Sequence, residues 1–394
     1  MRGVRIPLMR VLLMAATMAA SGGAMAGSCA WPDWESFKHT TMSDDGRVID
    51  NSSPQQITVS EGQSYALFFA LVANDRATFD RVLNWTQNNL AQGDLTTHLP
   101  AWIWGRLEAK AGAGGNQDKT AAPAWGVIDA NAASDADLWI AYALLEAGRL
   151  WHERSYTALG TVLARNILAK ETAVLPSLGR TLLPGPVGFH PQEDVWRLNP
   201  SYVPLQVVRH MATALPDQAE WKAVFDSSVK LVTETAPHGF SPDWVLYRRD
   251  QGFLPDEASK AEGAYNAIRV YLWAGMLAPD APSRAAALGA FHPLADFVVA
   301  HGFPPERVDT RTGTAGSNAG NEGFSAAVAP YLAALGRNDL AEAQVQRARS
   351  HQAPLGYYSQ VLSLFGLGYL DGLYRFDAAG SVTPAWTTTC PAAH

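Results

Sequence analysis

Two acid side chains stand where folding needs them least. In Ser60-Glu61-Gly62-Gln63-Ser64-Tyr65, Ser60 and Gln63 have the spacing of a capping box, which leaves Glu61 spare at the first helical position. In Ala133 to Trp151, ASDADLWIAYALLEAGRLW, Ser134, Asp135 and Asp137 precede a long apolar helix, with Ser134 and Asp137 close to the same capping pattern. A cap needs one acceptor and this start supplies three, so Asp135 is free to point past the helix end. Spare carboxyls of this kind suit proton transfer, one donating while another stays ionised. Two further helix starts carry polar side chains: Asn199-Pro200-Ser201-Tyr202, with Pro204 inside the first turn, and Gly263-Ala264-Tyr265-Asn266. Arg269, one turn beyond Tyr265, reads either as half of a structural ion pair or as a clamp on a carboxylate or a sugar hydroxyl.

Aromatic residues crowd the loops between these starts: Leu99 to Gly105 (LPAWIWG), Trp125, Val195 to Arg197, and Asp243-Trp244. Tryptophan faces stack on sugar rings, and Trp beside carboxylates in a cleft points to carbohydrate. The competing reading of any single Trp is core packing. Trp102 and Trp104 bracket one residue in a loop bounded by Pro and Gly, which favours ligand contact at both. There is no HExxH, no GxSxG, no phosphate-binding Gly loop and no His pair spaced for a metal beside a carboxylate, so neither a metal nor a cofactor is expected.

The elements that must position these groups are helices. Apolar spacing and start signals predict them near 31–41, 61–73, 76–91, 135–150, 156–170, 202–214, 218–235, 264–277, 283–301, 322–334, 340–350 and 358–373. Twelve helices make six pairs, and the expected fold is all-α: an (α/α)6 toroid of six helical hairpins, with an irregular bundle as the alternative. One β-hairpin is expected, within Trp244 to Phe253. Connections without a long linker argue for a single catalytic domain over 27–394, and Ala111 to Thr120 reads as an exposed loop tip. If alternate helices line the ring and run the same way, Glu61, Asp135, Tyr202 and Asn266 meet at one mouth.

Residues 1–26 read as a signal peptide: Arg2, Arg5 and Arg10, an apolar core from Val11 to Ala20, then Ala24-Met25-Ala26. The expected location is periplasmic or secreted, with no membrane span after cleavage. Net charge is −7 and becomes more negative once those arginines are removed, which disfavours nucleic acid as a partner. The two cysteines, Cys29 and Cys390, lie near opposite ends of the mature chain. An oxidising compartment favours their pairing, while fraying ends and an ample core argue against it.

The stretches quoted above resemble glycoside hydrolase family 8, and within it the periplasmic members encoded with bacterial cellulose synthase. ASDADLWIAYALLEAGRLW is similar to the family's signature helix, and SEGQSY, NWTQNNLAQG, LPAW, LNPSY, ETAPHGFSPDW and AIRVYLW resemble other motifs, from about Trp31 to Phe376. The resemblance implies the six-hairpin toroid and an inverting endo-1,4-β-glucanase acting on a β-1,4-glucan chain, possible alternatives being a xylanase, a chitosanase or a weak glycan-binding component, with a cellulose synthase complex as a possible partner. It also implies Glu61 as general acid and Asp135 as a catalytic carboxylate or the holder of a distorted sugar. Trp102, Trp104, Tyr202, Tyr265, Asn266 and Arg269 are the expected substrate-binding residues. One position departs from the pattern: where such members carry an Asp as general base, in YDAIR, this chain has Asn266. An amide orients a water but cannot take its proton. Asn266→Asp is therefore expected to raise kcat at least about tenfold, unless Asp135, Asp243 or an acid between Asp256 and Glu262 already serves as base, in which case the rate stays flat or falls.

Overall fold

The computed structural model describes residues 29–107, 124–350, 355–388 and 390; the expected signal peptide and the loop tip at 111–120 lie outside them. Among the described residues there are thirteen α-helices: α1 Pro32–Thr41, α2 Ser60–Val72, α3 Arg76–Leu90, α4 Ser134–Leu150, α5 Arg154–Lys170, α6 Leu205–Ala214, α7 Glu220–Glu234, α8 Ala267–Gly275, α9 Arg284–Gly289, α10 His292–His301, α11 Glu322–Ala334, α12 Asn338–Arg349 and α13 Tyr357–Leu370. The helix expected over 283–301 is two. Pro293 would lack its N–H in mid-helix, and it sits instead in the first turn of α10, where that donor has no intrahelical partner.

Six helices form the inner ring. α2 packs on α4, α4 on α6, α6 on α8, α8 on α11 and α11 on α13, and α13 returns to α2. The sequences of α2 and α4 are apolar on every side, as ALFFALV and LWIAYALLEAG show, and α4 is buried from Ser134 to Gly148. The outer helices are amphipathic instead: α12 buries only Ala341, Gln344, Val345 and Ala348, the stripe expected at i, i+3, i+4 and i+7. Each hairpin pairs an inner helix with an outer one, as in α2 with α3, α4 with α5 and α11 with α12. For α13 the outer partner is α1, so the last hairpin is made from the two ends of the chain. Where α11 and α13 cross, a Cβ on Gly366 would lie 1.9 Å from the Ala326 carbonyl oxygen, so only glycine permits that approach.

Loops at the ring's mouth carry short antiparallel strands, more than the single hairpin expected. Strands β1 Thr58–Val59, β2 Ile103–Arg106 and β3 Trp125–Asp129 form one sheet. β4 Thr172–Leu175 and β5 Gly179–Leu182 form a hairpin after α5. The expected hairpin is present as β7 Val245–Arg248 and β8 Gly252–Pro255, joined by β6 Val195–Leu198. Strands of two to five residues leave too little alternation to read in a sequence.

Cys29 and Cys390 are disulfide-bonded, with Cα atoms 5.9 Å apart across 361 residues of sequence. The bond ties the chain ends beside the hairpin that closes the ring. Paired Cys29→Ser and Cys390→Ser substitutions are expected to lower unfolding stability by about 2 to 4 kcal/mol, read as an earlier urea midpoint; equal midpoints for both proteins would show that the ring closes without the tie.

Candidate active site

The inner helices begin at one mouth, and the expected acids stand in their first turns. Glu61 is the second residue of α2. Neither expected capping box forms: both helices begin at the Ser itself, and no side chain caps them. Gln63 turns away instead, accepting from the Val48 N–H at 2.6 Å and donating to Thr86 Oγ1 at 3.0 Å, so it fixes α2 against its neighbours. The Trp102 main chain staples the two acid-bearing starts together, its carbonyl accepting from the Ser60 N–H (2.9 Å) and its N–H donating to the Asn131 carbonyl (2.6 Å) just ahead of α4. The Trp102 side chain favours the charged form of the Glu61 carboxyl while its ring stays exposed.

Asp135, the second residue of α4, is buried and ion-paired with Arg269 at 2.8 Å. Arg269 comes from α8 and is itself buried; it also donates to Tyr65 Oη (2.8 Å) and Asn266 Oδ1 (2.7 Å). Both readings of Arg269 thus meet in one side chain, an ion pair that is part of the site. Burial raises the Glu61 pKa to about 8, with the Asp135 charge pushing the same way and its own backbone N–H, Arg269 and Trp102 pulling back. Burial also raises Asp135, while Arg269 and the Ala136 N–H hold its charged form. Of the two, Asp135 ionises first, and its charge helps keep the proton on Glu61.

Asn266 is not the first residue of a helix but the residue before α8, because Asp243 has captured that start. One Asp243 oxygen, Oδ1, accepts from the N–H groups of Ala264 (2.8 Å), Asn266 (3.0 Å) and Ala267 (2.7 Å). Burial raises the Asp243 pKa, and those three N–H groups and Arg269 restrain it. The arrangement sets a carboxylate beside the amide that the sequence left without a base. Asp243 was legible as one of several candidates; nothing in the spacing says that it reaches 21 to 24 residues along the chain.

The remaining expected residues divide. Tyr202 ends a 3-10 turn, Pro200–Tyr202, with its ring 5.6 Å from the Arg269 guanidinium; α6 starts only at Leu205, so Pro204 caps it from outside rather than sitting in its first turn. Tyr265 lies on the rim, 39% exposed, donating to Glu306 Oε1 at 3.0 Å. Trp104 does not share the surroundings of Trp102. Trp102 lies just ahead of β2, whereas Trp104 is inside it and packs on Trp125 (5.5 Å, 16°), Trp85 (5.3 Å) and the Arg47 guanidinium (4.4 Å). Tyr358 went unsingled in the sequence: it lies in the first turn of α13, and its pKa is raised by burial and by the charges of Asp243, Asp135 and Glu61. Among the described residues no group of three or more His, Cys, Asp or Glu side chains could hold a metal ion.

A ring of helices with a buried acid poised beside a paired carboxylate and rimmed by aromatics is matched by a family model, Glycosyl hydrolases family 8, over residues 6–372. The chain belongs to this family. Relatives within family 8 include an "Endoglucanase" of Xanthomonas axonopodis pv. citri, 45% identical over 96% of each chain. Another, an "Endoglucanase" of Salmonella typhi, is 44% identical over 92% of this chain and 93% of its own. The crystal structure of an endo-1,4-D-glucanase from Vibrio fischeri superposes with a TM-score of 0.81 at 46% identity, covering 91% of this chain and all of that one. As a family 8 glycoside hydrolase the chain is an enzyme.

The Glu61 shift fixes a pH dependence. With Glu61 as the expected proton donor, which works only while protonated, activity is expected to fall as pH rises through about 8. A pH profile of kcat/KM should show that alkaline limb, and a limb near the ordinary carboxyl value would contradict it.

Proposed function

We propose that the chain is an endo-1,4-β-glucanase that cuts within cellulose chains by a single inverting displacement, with Glu61 as general acid and Asp243 as general base. The observation that carries this reading is the split between the acids: Glu61 is held protonated to about 8, while Asp243 is anchored by three backbone N–H groups beside Asn266. Glu61 gives its proton to the departing glycosidic oxygen. A water attacks the anomeric carbon from the opposite face, oriented by Asn266, and Asp243 takes its proton. The fixed charge of Asp135 lies where positive charge grows on the sugar, and Arg269 holds it there. Trp102 offers its exposed ring to a sugar face. The endo cleavage and the β-1,4-glucan are supported by the activities named for the relatives in Xanthomonas and Vibrio.

A weakly catalytic glycan binder was motivated by Asn266 alone, and Asp243 removes that motive. Export to the periplasm or beyond is supported by the Cys29–Cys390 disulfide, which belongs to oxidising compartments. Work beside a cellulose synthase complex is the finer proposal and rests on the motif resemblance.

Glu61→Gln and Asp243→Asn are each expected to cut turnover of carboxymethyl-cellulose by about 10² to 10⁴-fold. Near-normal turnover in either variant removes that residue from its role. NMR of fresh product should show the inverted α-anomer first, and the β-anomer first would refute the displacement. With Asp243 in place, Asn266→Asp is now expected to leave kcat flat or lower, because a second carboxylate would crowd an occupied site and compete with Asp135 for the Arg269 guanidinium. A tenfold rise would return the base role to position 266.

A further inference from the structure

Behind Asp135 lies a second pair of acids. Asp137 is in the first turn of α4, and Glu171 is the residue that ends α5, its main chain held by the Leu183 N–H at the end of the β4–β5 hairpin. Both side chains are 0% exposed. The two carboxyls meet each other, and no N–H or O–H group of another described residue reaches any of their four oxygens. Two ionised carboxylates in that place would be two unpartnered charges in a dry interior, facing each other at contact. A single proton between them removes one charge and makes one O–H···O hydrogen bond.

The surroundings explain why this matters to the site. Asp135 acts electrostatically on both members of the pair, and Glu61 acts on Asp137. Lys170 is the cation acting on Glu171, and Arg269 is already engaged by Asp135. Four buried carboxyls, carried by α2, α4 and the end of α5, therefore share one electrostatic neighbourhood with the Arg269 guanidinium. A charge kept on the inner pair therefore acts on Glu61 through Asp137.

We propose that Asp137 and Glu171 share one proton, and that the single negative charge left on the pair helps hold the proton on Glu61, which makes both of them positioning residues for the general acid. The proposal rests on Glu61 being that acid. It distinguishes charge from packing, because amide substitutions keep shape. Asp137→Asn or Glu171→Gln alone leaves one carboxylate accepting from one amide N–H, so the pair keeps its charge and its hydrogen bond. The double variant has neither acid and no charge.

The test is the alkaline limb of kcat/KM. Each single variant should keep the wild-type midpoint, and the double variant should shift it down by about one pH unit, as expected for removing a nearby like charge. A double variant that folds and keeps the wild-type midpoint overturns the proposal, since a merely structural pair would not move the limb. Glu61→Gln run in parallel separates the two failures: if it stays active, the assignment of Glu61 itself falls, whereas if it is inactive and the limb is unmoved, only the inner pair loses its role. Should the double variant fail to fold, infrared spectra at neutral pH decide. The Glu61→Gln protein should retain a protonated-carboxyl band that disappears when Glu171→Gln is added, and absence of that band from the Glu61→Gln protein overturns the shared proton.

Discussion

The site is organised by one buried ion pair. Arg269 reaches from α8 to Asp135 on α4, and the same guanidinium holds Tyr65 of α2 and Asn266 at the α8 start. Three inner helices are thereby fixed to one another at the mouth of the ring. Burying both charges is costly, and removing either partner would strand the other, so the pair matters more for the geometry it imposes than for net stability. Its chemical consequence is to let Asp135 ionise in a buried setting, which in turn loads Glu61 with a proton.

That consequence had to overcome the fold. Inner helices that all begin at the mouth present their positive N-terminal ends to the cleft, and such an end favours a charged carboxylate. The dipole contributes roughly 1 kcal/mol or less, under one pKa unit. Burial and the Asp135 charge move Glu61 from 4.5 to about 8, so they win clearly. At Asp243 burial also raises the pKa, but the side chain uses the α8 N-terminus directly, and three N–H groups on one oxygen restrain the rise. One architecture thus supplies both a reluctant acid and a ready carboxylate, and the difference lies in whether the side chain caps its helix or points past it.

Much of this was legible in the sequence because it depends on local pattern. Apolar runs long enough for buried helices gave the ring, and spare acids at helix starts pointed to Glu61 and Asp135. Arg269 was visible only as two alternatives, since its partners lie on other helices. What escaped reading depends on long-range contact. Ser60 and Gln63 have capping-box spacing, but Gln63 finds better partners in Val48 and Thr86. Trp102 and Trp104 read alike in the sequence, but Trp102 lies exposed ahead of β2 while Trp104 packs on Trp125 and Arg47. Asp137 looked like a cap and is instead buried against Glu171, 34 residues on. The pairing of Cys29 with Cys390 could not be decided until α1 was seen to complete the last hairpin with α13.

The most direct test of the account is a crystal structure of the Glu61→Gln protein with a cello-oligosaccharide spanning the cleft. The account predicts the scissile glycosidic oxygen within hydrogen-bond reach of residue 61, and on the opposite face of the sugar a water held jointly by Asp243 and Asn266 and directed at the anomeric carbon. A glycan bound with Asp243 turned away from that water, or with residue 61 remote from the glycosidic oxygen, would contradict it.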